Sequence, residues 1–199
     1  MTTLRTKHST SRGFVSHLLF IFMLSTLSMA AEIPTNERAG LDQIEQSLKS
    51  DVPRVLCLDG SFTTGAQPTE QAYAKAAASG FHSVLSLRTA SEGVDLMRER
   101  SLVEKNKMRY FNIPVVSSAP RREQAEEFIR LLNEKTNHPM LINCASANRV
   151  GAFMMIYRVL EQGWAEDKAL QEAIKIGLRG DELKKFARDY IARRRSKQR

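Results

Sequence analysis

The sequence predicts an α/β fold with a mainly parallel central sheet flanked by helices, and three observations carry that prediction. Short apolar runs recur at Val52–Leu58, Ser83–Leu87, Arg109–Val116 and Met140–Ile142. The segments between them place apolar residues at helical spacing, and strands alternating with helices argue for parallel pairing with helical crossovers. The last run ends in a small-residue loop, Cys144 to Asn148, and a helical pattern starts at Arg149.

Of the 199 residues, 42% are hydrophobic and 26% charged, which suits one globular domain with appendages. The first 30 residues stand apart. Arg5, Lys7 and Arg12 make a basic start, Phe14 to Leu27 is an apolar run, and Ser28-Met29-Ala30 offers a small-x-small cleavage site. This is the pattern of a secretory signal peptide. The run falls short of the roughly 20 residues of a membrane span, so cleavage is expected, with the mature protein periplasmic or extracellular. The expected layout is a signal peptide over 1–30, a polar segment over 31–50, the main domain over 51–180, and a C-terminal helix with a basic tail over 181–199. Loss of the leader would lower the net charge from +8 to +5. Much of that excess lies in Arg193, Arg194, Arg195, Lys197 and Arg199, a tail that could touch a membrane surface weakly. An export signal argues against a nucleic-acid partner.

Taken in order, Leu41, Ile44 and Leu48 suggest a short amphipathic helix after a loop. Val52–Leu58 reads as the first strand and Asp59-Gly60-Ser61 as a turn. Thr69 is an expected N-cap for a helix whose apolar face holds Tyr73, Ala76 and Ala77, and Gly80 ends it. The strand Ser83–Leu87 follows, then Arg88. The charged stretch Gly93–Asn106 reads as a surface helix. After the strand Arg109–Val116, residues Ser117 to Pro120 are expected to cap a helix with Phe128, Ile129 and Leu132 on its core face. The helix from Arg149 to about Gln162 carries Phe153, Ile156, Tyr157 and Leu160 on one face, with Met154 and Met155 as core filler. Gly163 stops it, Trp164 packs at the corner, and helices over Glu166–Ile176 and from Asp181 to about Arg194 complete the chain.

The chemistry concentrates where the last strand meets its helix. Unpaired N–H groups and the helix dipole favour negative charge there, and hence a thiolate on Cys144. Arg149 can fold back over the loop with a planar donor fork. The stretch Asn143-Cys144-Ala145-Ser146-Ala147-Asn148-Arg149-Val150-Gly151-Ala152 resembles the active loop of the cysteine-dependent phosphatases, the tyrosine and dual-specificity superfamily. It is nearest to bacterial phosphatase-like domains with the loop His-Cys-Ala-Ser-Gly-Asn-Arg-Val-Gly-Ala. The segment Thr-Gly-Ala-Gln-Pro-Thr-Glu, a helix, and the strand ending Leu87-Arg88 resemble the opening of the same domains. The likeness runs from about residue 54 to 178 and implies a cysteine-phosphatase-like fold.

The resemblance also marks departures. The usual loop has five residues between Cys and Arg, and this one has four. Asn143 replaces the usual His, Ala147 a Gly, and Val150 a Ser or Thr. The usual aspartic general acid would fall within residues 112–122, which hold no carboxylate; Glu123 is the nearest and suits a helix first turn better.

Three functions fit. In a phosphatase, Cys144 attacks phosphorus while the amides of Ala145, Ser146, Ala147 and Asn148 and the Arg149 guanidinium hold the oxygens. In a sulfurtransferase, Cys144 carries a persulfide; the four-residue spacing resembles rhodaneses. In a degenerate domain, the loop binds an anion or partner without turnover. Asn143 and Arg88 are candidate supporting residues. The partner is a small phosphorylated or sulfur-containing substrate, or a phosphoprotein. No cofactor is expected: His82 and His138 lack ligand spacing, and no Walker or dinucleotide glycine loop is present. Cys57 and Cys144, 87 positions apart, could be free or bridged in an oxidising compartment.

Overall fold

In the computed structural model, five strands form one sheet in the order β1-β2-β5-β3-β4. These are β1 (Leu56–Cys57), β2 (Phe62–Gly65), β3 (Ser83–Ser86), β4 (Arg109–Asn112) and β5 (Met140–Asn143). β2, β5, β3 and β4 run parallel, and β1 is an antiparallel edge. The structure describes residues 1–3 and 35–197. The expected signal peptide falls almost wholly outside them.

The mainly parallel α/β expectation holds, with one strand more than the sequence suggested. Phe62–Gly65, which has no apolar run to mark it, is the strand beside β5, in register Phe62↔Met140 and Gly65↔Asn143. The expected strand Val52–Leu58 contracts to two residues, because Arg54 adopts a left-handed conformation with φ 57°. β5 lies at the centre with all four residues buried, as a strand covered on both faces should be.

Among the described residues, seven α-helices cover the two faces: α1 (Thr35–Leu48), α2 (Glu70–Ala78), α3 (Leu96–Lys105), α4 (Arg122–Asn133), α5 (Asn148–Leu160), α6 (Glu166–Ile176) and α7 (Asp181–Ser196). Strand alternation divides the apolar residues between them. Leu141 and Val84 pack with Leu48, Tyr73, Val103 and Tyr110 on the α1–α3 face. Ile142, Leu85 and Cys144 pack with Phe128, Phe153 and Ile191 on the other. Residues 149–159 of α5 are all buried, which explains why its apolar pattern runs round the helix. At Gly151 the carbonyl of Ala173 approaches to 2.6 Å of where a Cβ would stand, so only glycine permits this contact between α5 and α6.

Local signals are refined at helix ends. Thr69 occupies the N-cap position of α2, but its hydroxyl donates to Asp51 rather than capping the helix. The helix expected from Gly93 starts only at Leu96, because a 3-10 turn, Ala90–Glu92, precedes the charged stretch and ends at Gly93. Gly93 has φ 73°, and Asp95 caps α3 by accepting from the Arg98 N–H at 2.9 Å. Arg121, not residues 117–120, stands at the N-cap of α4, and its N–H donates to Gln124.

Arg158 of α5 is the largest fully buried side chain among the described residues. It donates to Glu172 at 2.7 and 3.1 Å, Asp59 at 2.9 Å and Gln162 at 2.6 Å, and lies 4.7 Å from the Trp164 ring centroid. Buried charge requires such partners. This ties the β1–β2 turn, α5, α6 and the corner Trp164 together.

Candidate active site

The carboxyl ends of parallel strands collect loops at one edge of a sheet. Cys144 directly follows β5, and Asn148 opens α5, so the loop between them faces that helix's N-terminus. Cys144 is fully buried. Ala145 is exposed, Ser146 and Asn148 are half-buried, and Ala147 is buried in a left-handed conformation with φ 64° and ψ −1°. That is the position where the resembled loop carries glycine, and an alanine there works against its Cβ.

Arg149 is buried and turned under the loop. Its Nη1 donates to the carbonyls of Leu87 (3.0 Å) and Val115 (2.6 Å), at the ends of β3 and beyond β4. Nη1 and Nη2 also grip Glu92 in a bidentate pair at 2.7 and 2.6 Å. Burial opposes charge on the guanidinium, but Glu92 and the nearby Cys144 sulfur outweigh it and raise the pKa above its ordinary value. Burial likewise opposes charge on Glu92. The Arg149 fork and the Thr89 N–H overcome it and hold the carboxyl at about 2, well below the usual carboxylate range.

Arg88, expected as a candidate supporting residue, meets Arg149 at the same carboxylate. Its Nε stands 2.8 Å from Glu92 Oε2, close enough for an ion pair though not aligned as a hydrogen bond. Its Nη1 donates to Gln67 at 2.7 Å and its Nη2 to the Glu92 carbonyl at 3.1 Å. Two guanidinium groups therefore share one carboxylate, leaving a net positive charge behind the loop. Gln67 reaches onward to buried Glu99 at 3.5 Å, which accepts from Tyr73 (2.6 Å) and Tyr110 (3.1 Å). Burial, then the Glu99 charge, pushes both phenol pKa values up and keeps the tyrosines neutral donors. Asn143 is wholly buried, and neither polar atom of its side chain finds a hydrogen-bond partner among the described residues.

Two contributors, Glu92 and Glu182, escaped the sequence reading, and Asn148, expected for its loop amide, acts through its side chain as well. Glu92 lies on a short turn with no periodicity to mark its direction. Asn148 Oδ1 accepts from the N–H groups of Arg179 (2.9 Å) and Gly180 (3.1 Å), pinning the α6–α7 turn to the loop. Glu182, at the start of α7, lines an open cleft of about 440 Å³ with Arg149, Glu92, Val115 and Ser118. No carboxylate comes from residues 112–122, and Glu123 does not line this cleft. A separate cleft of about 460 Å³ between β1 and α6 shares no residue with the Cys144 loop.

The two cysteines are free and apart. Cys57 pairs with Thr63, and Thr63 with Leu141, so two strand spacings and three further residues separate it from Cys144. That exceeds the roughly 7 Å between Cα atoms that a disulfide tolerates. Burial raises the Cys57 thiol pKa against the opposing Thr63 hydrogen bond.

The family model described as "DSP-PTPase phosphatase fused to NAD+ Kinase" matches residues 39–189. No curated protein matches the sequence. Among solved structures, the DUF442 protein of Shewanella putrefaciens CN-32 is 19% identical with a TM-score of 0.64, over 75% of this chain and 97% of that one. TpbA of P. aeruginosa, in complex with pTyr, is 20% identical with a TM-score of 0.57, over 68% and 83%. The core catalytic domain of the PP-IP phosphatase SIW14 from S. cerevisiae, in complex with citrate, is 16% identical with a TM-score of 0.60, over 74% and 94%. At these identities the likeness is one of fold.

Proposed function

The chain belongs to the DSP-PTPase family whose model is described as a phosphatase fused to NAD+ kinase, and from that membership we propose that it hydrolyses a phosphate monoester through a Cys144 thiolate and Arg149. One observation carries the proposal: Cys144 follows the central strand at the N-terminus of α5, with the buried Arg149 guanidinium beside its sulfur. The thiolate attacks phosphorus, the ester oxygen leaves with a proton, and water then cleaves the phosphocysteine to release phosphate. The Arg149–Arg88 pair and the loop N–H groups stabilise charge on the phosphoryl oxygens, where preorganised donors act most strongly. The leaving oxygen needs a donor. Glu92 is engaged by Arg149 and Arg88, so we assign that part to Glu182, the other carboxylate lining the cleft. Phosphotyrosine and phosphorylated small molecules both fit this chemistry, and the protein would act after export.

The four-residue loop and the complete burial of Cys144 favour a second reading, sulfur transfer through a Cys144 persulfide, because sulfur is smaller than a phosphoryl group. One reduced sample of residues 31–199 tests both. Cys144-dependent release from an aryl phosphate is the expected result. Cys144-dependent thiocyanate from thiosulfate and cyanide, without phosphate release, would replace it with the second reading. Cys144→Ser should abolish activity and leave the fold intact; full activity in that variant would sink both. Fractionation of the expressing cells tests export, with retention of the full-length chain in the cytoplasm as the contrary result.

A further inference from the structure

Three residues with positive φ meet at the rim of the Cys144 loop, although they come from distant parts of the chain. They are Arg54 (φ 57°), Ala147 (φ 64°) and Gly177 (φ 145°). A Cβ on Gly177 would lie 3.1 Å from Ala147 Cβ, 3.1 Å from Arg54 Nε and 3.2 Å from the Ser146 carbonyl. Such conformations persist where the surroundings hold them, and they cluster at ligand sites.

What converges here is positive charge. Arg54 Nε donates to the Ile176 carbonyl at 3.5 Å. Arg179 Nη2 donates to Ser146 Oγ at 2.8 Å, and its Nη1 to the carbonyls of Ser146 (3.4 Å) and Gly177 (3.3 Å). Both side chains are exposed, and among the described residues neither makes an ion pair. Carbonyl partners orient a guanidinium without cancelling its charge. Arg88 and Arg149, behind the loop, share the one carboxylate of Glu92 and leave a net positive charge for an anion in the loop. Two further uncompensated cations on the rim exceed what one phosphate requires.

We propose that Arg54 and Arg179 form an accessory anion subsite, and that the substrate is a compact molecule carrying a second phosphate next to the one in the loop. The inference rests on the phosphatase reading for the first phosphate only. Both arginines touch the surroundings of Ser146 and Ala147, so the second anion lies against the loop itself. Two phosphorylated side chains of a peptide would spread further apart. Arg forks suit such phosphate recognition.

The test reads binding without turnover. In the Cys144→Ser protein, calorimetry at fixed ionic strength compares orthophosphate with pyrophosphate. Pyrophosphate should bind about tenfold to a hundredfold more tightly, the range for charge-assisted contacts. Adding Arg54→Gln and Arg179→Gln should bring the ratio to within about threefold. Glutamine keeps a donor for the carbonyls, so a purely structural role would leave the ratio unmoved. If the double variant melts early, Arg179→Gln alone carries the comparison, since Arg179 lies on an exposed turn. A ratio near one in the parent, or a ratio that survives the substitutions, overturns the subsite. Tighter binding of a doubly phosphorylated peptide than of pyrophosphate overturns it in favour of a protein substrate. If the wild type is inert on aryl phosphate but the pyrophosphate preference holds, the phosphatase reading fails and the subsite stands. An active enzyme without the preference keeps the phosphatase reading and removes the subsite.

Discussion

Replacing Glu92 with glutamine keeps the size of the side chain and removes the charge that Arg149 and Arg88 share. The carboxyl is held at about 2 against an ordinary 4.5. At about 1.36 kcal/mol per pKa unit that difference corresponds to roughly 3 kcal/mol of native stabilisation. The side chain is 26% exposed and solvent screens part of the interaction, so about 1–2 kcal/mol is expected. For a domain this size, that lowers Tm by about 2–8 °C at pH 7. A depressed carboxylate pKa contributes stability that is complete above the unfolded value and lost as pH falls through the folded one. The gap between wild type and Glu92→Gln should therefore be widest above pH 4.5 and close toward pH 2, with roughly two-fifths remaining at pH 3. Urea unfolding of both proteins from pH 7 to pH 3 measures it. Equal stability at pH 7, or a gap that does not narrow with acid, would refute the clamp.

Three other outcomes follow from the same geometry. Ala147→Gly relieves a left-handed alanine at φ 64° and should stabilise by about 0.5–1 kcal/mol, read as a higher urea midpoint at unchanged slope. Arg158→Ala strips the partner from Glu172 and Asp59 and should cost about 3–5 kcal/mol; a change below 1 kcal/mol in thermal melts would show that the buried pair is not held as described. Glu182→Gln should slow hydrolysis of an alkyl phosphate by about 10²–10⁴-fold while barely affecting a p-nitrophenyl ester, whose leaving group needs no proton. Equal slowing on both substrates would remove Glu182 from the proton-donating part.

Much of the architecture was legible because its signals are local. The strand run Met140–Ile142, the small-residue loop and the helical start at Arg149 lie within a few residues of one another. Their backbone geometry follows from propensity and periodicity. Phe62–Gly65 was missed for the opposite reason. Thr63, Thr64 and Gly65 give no apolar run, and the segment becomes a strand only because it lies beside β5, where all four residues are buried. The same limit hid Glu92, on a three-residue turn, and Glu182, which reaches the cleft from α7.

The sequence by itself determined the order of the elements apart from β2, the mainly parallel sheet, and the adjacency of Cys144 to the helix that carries Arg149. Each of these is set by residues close together along the chain. Only the tertiary structure decided that Glu92, 57 positions from Arg149, holds its guanidinium, and that Cys57 lies beyond reach of Cys144. It also decided that Arg54, Ala147 and Gly177 meet at one rim. Such contacts depend on the orientation of side chains across packed elements. The period of a strand or helix gives the face a residue presents, whereas its partner on that face is chosen by the packing of the whole core.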